Sequence, residues 1–156
     1  MEIKKGTLLK CIAIPVLTGT LSALLSGGGM QAFSQMNKPP LSPPGWLFPV
    51  VWTVFYILMG VASYLILTSD ADEQEKSDAL KIYGYQLAVN FLWSIFFFNF
   101  GWYLFSFAWL VLLWVLILVM IRLFYPISKT AAYLMIPYLL WVTFAGYLNF
   151  GIWILN

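Results

Sequence analysis

The sequence predicts an all-α integral membrane bundle of five transmembrane helices, and two observations carry that prediction. The chain of 156 residues is 62% hydrophobic and only 9% charged, against about 25% charged residues in an ordinary soluble domain. Too few polar side chains remain to cover a water-facing surface, so lipid is the solvent. Five stretches also reach the length of about 20 mostly apolar residues that a helix needs to cross a bilayer. They run over about 8–27, 44–68, 79–98, 102–123 and 131–154. No soluble domain fits between them, and residues 1–156 read as one membrane domain.

The first span carries small residues at every fourth position, Gly19, Ala23 and Gly27 beside Thr18, Ser22 and Ser26. Such stripes let transmembrane helices approach closely. Lys4 and Lys5 ahead of an apolar stretch ending in Ser-Gly-Gly-Gly also fit a signal peptide, but no clear small-x-small cleavage site follows. The next loop and the second span share KPPLSPPGWLFPVVW, with five of the chain's eight prolines. Ser42 is placed as the N-cap, with Pro43 and Pro44 in the first helical turn, where missing amide donors cost little. Pro39 and Pro40 stiffen the loop as a lid, and Pro49 is expected to kink the helix.

Before the third span, DADEQEKSD holds five of the six acidic residues and reads as a solvated loop whose carboxylates sit at a helix start. The fourth span is apolar almost all round and reads mainly as a lipid-facing wall, with Trp102 and Tyr103 at the interface. Asn149 and Asn156 in the fifth are expected at the headgroup level. With five spans, seven basic residues fall on the amino-terminal side and only Lys38 on the other, which puts the amino terminus inside and the carboxyl terminus outside.

The residue inventory excludes several chemistries. There is one cysteine, Cys11, and no histidine, so an intrachain disulfide, a Cys/His metal site and a His-ligated haem are ruled out. No cofactor and no metal are expected. The net charge is +2 with no basic tract, which offers nothing to nucleic acid. No Asp or Glu lies within a span, so the carboxylate that an ion-coupled pump uses is missing.

The spans instead carry polar and aromatic side chains at helical spacing: Trp52, Tyr56, Met59 and Ser63 on the second, Gln86, Asn90, Trp93 and Phe97 on the third, and Pro137, Trp141, Ala145 and Leu148 on the fifth. Amides are poorly placed against lipid, so Gln86 and Asn90 should face the bundle interior. Apolar walls with a few polar anchors suit a pocket, although aromatic stripes also serve packing. Gly84-x-x-x-Ala88 lies about 200° around the third helix from Gln86, and is a candidate contact between subunits.

Three blocks resemble the translocator protein family, also called TspO, tryptophan-rich sensory proteins or peripheral benzodiazepine receptors: residues 38–65, 86–98 and 137–149. The resemblance identifies the chain as a bacterial member in the cytoplasmic membrane. It implies a five-helix bundle, often a homodimer, with a pocket opening toward the first loop. It also implies ligands such as protoporphyrin IX and drug-like isoquinoline carboxamides or benzodiazepines. The family's pocket motifs fall on Trp52, Tyr56, Asn90, Trp93, Trp141, Ala145 and Leu148, with Pro43 and Pro44 at the loop edge and Gln86 as a further polar contact. The expected function is a membrane receptor or sensor for flat tetrapyrroles. The alternatives are light- and oxygen-dependent porphyrin degradation, with Trp52 and Trp141 as the oxidisable indoles, or passive translocation.

Departures from the family pattern bear on the ligand. Pro39-Pro40-Leu41 replaces Pro-Ser-Trp, Ala32-Phe33 replaces Trp-Tyr, and Asn90-Phe91 replaces Asn-Trp. The sterol motif of the animal proteins is broken, because Leu148, Phe150 and Ile154 are followed by no basic residue. Sterol is not expected as a ligand. With no cation inside the bundle, ligand carboxylates are expected at the loop, near Lys38.

Overall fold

The computed structural model describes residues 2–27 and 29–156, with the backbone alone for residues 29, 30 and 32. Ala32, one of the departures noted above, therefore has its side chain outside the described residues. Seven α-helices and no strand occur among the described residues: α1 (Lys5–Leu25), α2 (Gly29–Gln35), α3 (Leu47–Leu67), α4 (Glu73–Ser94), α5 (Tyr103–Phe124), α6 (Lys129–Leu134) and α7 (Ile136–Leu155). A π-helical turn, Ile95–Asn99, continues α4. Four stretches are long and apolar enough to cross a membrane: α1, α3, α5, and α6 with α7 taken together. α4 is as long, but Glu73, Glu75, Lys76, Asp78 and Lys81 occupy its first turns.

Helix ends follow local chemistry. Asp72 caps α4, its carboxylate accepting from the Gln74 amide at 3.2 Å, and Glu73 and Glu75 lie where the helix dipole favours negative charge. Ser128 caps α6 by accepting from the Ala131 amide at 3.2 Å. The fifth stretch is not one continuous helix. Pro137 has no amide to offer the preceding turn, and the chain breaks at Met135 before α7 begins.

The proline loop also departs from expectation. α3 starts at Leu47, and Ser42 does not cap it: its hydroxyl donates to the Pro39 carbonyl at 2.7 Å. The intervening Leu41 has φ of 69° and is exposed, a left-handed conformation that strains a side-chain-bearing residue. Pro43 and Pro44 thus precede the helix rather than open it. Pro49 stands in the first turn of α3, where no intrahelical donor is needed, so it has no hydrogen bond to break.

Packing follows small residues on one side and a heptad on the other. α1 crosses α3 at Gly60, where a β-carbon would overlap the Ile12 backbone, and at Gly19, where one would enter the Tyr56 ring. Pro15 within α1 leaves the Cys11 carbonyl without its helical donor, and that carbonyl lies against Gly60. α5 is more than a lipid-facing wall. Ser106, Leu110, Leu113, Ile117, Met120 and Phe124 form a buried stripe against α4 and α7, while Leu104, Val111, Leu112, Val115 and Val119 stay exposed. Gly84 and Ala88 lie on an exposed face of α4, away from buried Gln86 and Asn90.

Two stability tests follow. Gly60→Ala should cost about 1–3 kcal/mol through overpacking against α1, whereas Gly84→Ala, whose added β-carbon meets nothing within 4 Å, should stabilise by up to about 1 kcal/mol. Leu41→Gly should relieve about 1 kcal/mol of backbone strain. Thermal unfolding in detergent micelles reads all three, and an unchanged midpoint for Gly60→Ala would contradict the tight crossing.

Candidate functional site

A cavity of about 360 Å³ opens at the loop end of the bundle, walled by α1, α3, α4 with its π turn, and α7. Its volume falls within the range of about 300–1,000 Å³ usual for small-molecule sites. α3 supplies Phe48, Trp52 and Tyr56, α4 supplies Trp93, and α7 supplies Trp141, Ala145 and Leu148. The Trp52 ring stacks on Tyr56 at 5.8 Å and meets Tyr138 edge-on at 6.2 Å. Trp93 stacks on Phe97 at 5.2 Å, and Trp141 meets Phe48 edge-on at 5.8 Å. No charged side chain lines the cavity among the described residues.

The two amides expected to hold a ligand do other work. The Tyr56 hydroxyl donates to Asn90 Oδ1 at 3.0 Å, and Asn90 Nδ2 donates to the Tyr138 hydroxyl at 2.7 Å. Tyr138 in turn donates to Gln86 Oε1 at 2.8 Å, and Gln86 Nε2 reaches the Met59 sulfur at 3.8 Å. Gln86 is fully buried, and neither amide is in the cavity wall. Both ends of Asn90 are engaged inside the bundle, so it stands behind Tyr56 and fixes that ring from the far side.

Asn149, not among the site residues expected from sequence, is buried in the cavity wall. It accepts from Trp93 Nε1 at 3.0 Å and donates to the Tyr103 carbonyl at 2.8 Å, which sets the angle of the Trp93 ring. Pro43 and Pro44 are outside the wall, and Pro44 is exposed. The loop edge is Phe33 of α2, buried and edge-on to Phe48 at 4.9 Å. The Lys38 ammonium donates two of its three N–H bonds to the Phe33 and Ser34 carbonyls at 2.9 and 3.2 Å, capping α2, and sits 4.9 Å over the Phe33 ring.

Trp141 Nε1 is buried and makes no hydrogen bond among the described residues. A buried unpaired donor costs about 1–3 kcal/mol, and since this one has no surface open to the cavity, an occupant would meet it only if the indole turned. The wall is otherwise mostly neutral aromatic face.

These features define a helical integral membrane protein with an aromatic cavity at one end of its bundle. The TspO/MBR family model matches residues 11–154, and the chain belongs to that family. It is 36% identical over 151 residues to the tryptophan-rich protein TspO of Chlorobaculum tepidum, with 96% of each chain covered. It is 33% identical over 150 residues to a tryptophan-rich sensory protein of Cereibacter sphaeroides, covering 96% of this chain and 89% of that one. To the translocator protein of Bos taurus it is 34% identical over 145 residues, covering 90% and 84%.

The Tyr56–Asn90–Tyr138–Gln86 chain makes a direct prediction. Asn90→Ala strips the Tyr56 hydroxyl of its acceptor and the Tyr138 hydroxyl of its donor, leaving Tyr138 bonded to Gln86 alone, and should destabilise by about 2–4 kcal/mol, on the cost of unmade buried bonds. Tyr138→Phe in the same background should add much less than it does alone, a coupling that a double-mutant cycle of detergent unfolding reads.

Proposed function

We propose that the cavity is a receptor site for a flat hydrophobic tetrapyrrole of the protoporphyrin IX kind. Isoquinoline carboxamide or benzodiazepine ligands would share it. The observation that carries this reading is the cavity of about 360 Å³ bounded by the rings of Phe48, Trp52, Tyr56, Trp93 and Trp141. Trp52, Tyr56, Trp93 and Trp141 supply the stacking area, Ala145 and Leu148 fill the wall between them, and Trp141 donates to a ligand carbonyl or carboxyl oxygen once its indole turns toward the cavity. Asn90 and Gln86 act from behind, by holding Tyr56 and Tyr138. Ligand carboxylates would lie toward the loop, where Lys38 holds α2 with two of its three N–H bonds.

The setting we infer is one membrane domain with α4 as a fifth span, its charged first turns in the headgroup region, the amino terminus inside and the carboxyl terminus outside. A bacterial cytoplasmic membrane is the proposed location. The exposed Gly84 and Ala88 face is the proposed homodimer contact. A second reading, light- and oxygen-dependent porphyrin degradation, is favoured by the indoles of Trp52 and Trp141 bounding one cavity.

Titration of the purified protein with protoporphyrin IX in darkness, followed by tryptophan fluorescence and porphyrin absorbance, tests the receptor. Saturable quenching is expected, and Trp141→Phe, which keeps the ring and removes the N–H, should weaken binding about tenfold. Absence of saturable quenching in the unmodified protein would sink the receptor reading. Illumination at saturating ligand then tests the second: unchanged porphyrin absorbance leaves a binder and removes the enzyme.

A further inference from the structure

The cavity can be walked seam by seam. Toward α4, α1 is closed by two bonds, Ser22 Oγ to the Phe91 carbonyl at 3.0 Å and Asn99 Nδ2 to the Leu25 carbonyl at 2.7 Å. Between α4 and α7 the Trp93–Asn149 bond closes the wall. Between α7 and α3 the Trp141 ring fills the gap against Phe48 and Phe55, at 5.8 and 6.3 Å. The loop above is strapped to α7. The Asn37 amide donates to Asn156 Oδ1 at 3.2 Å, Asn156 Nδ2 donates back to the Asn37 carbonyl at 2.8 Å, and the Tyr147 hydroxyl donates to the Pro40 carbonyl at 2.7 Å. Pro39 is seated on Gly151, where an added β-carbon would come within 2.6 Å of its ring.

The remaining seam is between α1 and α3. These helices touch where Gly60 meets Ile12 and Gly19 meets Tyr56. Toward the loop end, Thr20 and Ala23 on α1 and Pro49 and Thr53 on α3 all line the cavity and are exposed. Spacings of three and four residues put each pair on one helix face. The rim hydroxyls bond their own helices, Thr20 to the Val16 carbonyl at 2.8 Å and Thr53 to the Pro49 carbonyl at 2.6 Å. Their protons are therefore taken, as a surface in contact with lipid requires.

We propose that this seam is a window to the bilayer, and that ligand enters and leaves sideways from the acyl-chain region rather than from water through the loop. The inference rests on the cavity being a ligand site, and it adds the ligand class: molecules that partition into membrane as flat, weakly polar bodies. Hydrophilic molecules of the same shape are excluded by their route, not by their fit.

The test uses full-length protein in lipid nanodiscs, with protoporphyrin IX delivered from donor bilayers and tryptophan quenching followed by stopped flow. Ala23→Trp and Thr53→Trp narrow the window from its outer side. Each should slow association and dissociation together by about tenfold, since a gate alters rates before it alters affinity. Asn156→Ala and Tyr147→Phe, which loosen the loop, should leave both rates as they are. Faster exchange in the loop variants with unchanged rates in the window variants would overturn the proposal. If the unmodified protein shows no saturable porphyrin binding, the receptor reading fails, and the window is then read without porphyrin by a lipid-dissolved aryl diazirine. Photolabel on Trp52 and Tyr56 that Ala23→Trp abolishes supports the window. Label confined to the outer helix faces rejects it.

Discussion

The structure depends on a short chain of hydrogen bonds through Tyr56, Asn90, Tyr138 and Gln86, which joins α3, α4 and α7 where no water is at hand to replace a missing partner. In a bilayer such groups must be satisfied within the protein. Satisfying them here uses both ends of Asn90 and one end of Gln86 on side-chain hydroxyls, while the other end of Gln86 meets the Met59 sulfur. The three helices are thereby set relative to one another, and the aromatic rings they carry become fixed walls. The chain also keeps both amides out of the cavity wall, whose polar side chains are hydroxyls, among them Thr20, Thr53 and Ser94, and the amide of Asn149.

Polar groups elsewhere follow the same rule. Serines and threonines on α1 bond backbone carbonyls, either one turn back or on α4, and Asn149 ties α7 to Trp93 and to the start of α5. Lys38 spends its charge on the end of α2. Polarity is therefore used to position apolar surface, and the cavity inherits a neutral lining from that allocation.

The helical layout was legible because the length and apolarity of each stretch are local properties, and the stripes on α3 and α4 were legible because helix periodicity is local too. What each stripe residue touches is not local. Asn90 and Gln86 were correctly expected to face inward, but their partner Tyr138 sits on another helix, one residue beyond the Pro137 chosen for the α7 stripe. A signal existed, since Tyr138, Val142, Ala145, Asn149 and Ile152 recur at helical spacing and are all buried. Asn149 was not picked out for the site because nearness to the chain's end drew attention to its depth, whereas the strapped loop and α2 cover that end of α7 and bury it. Ser42 matched an N-cap pattern, but the left-handed turn at Leu41 redirects its hydroxyl to Pro39.

The π turn at Ile95–Asn99 amounts to one extra residue accommodated inside a helix. Its effect is a phase shift: side chains beyond it point about 100° away from where an uninterrupted α-helix would send them. Phe97 and Phe98, within this turn, both line the cavity. The amide of Trp102 is likewise carried back to the Phe96 carbonyl at the reversal into α5, beside Gly101 with its φ of 63°. A single-residue deletion in this turn would therefore act as a rotation of the cavity's aromatic edge rather than as a loss of one side chain, and the corner leading to α5 would have to be rebuilt with it.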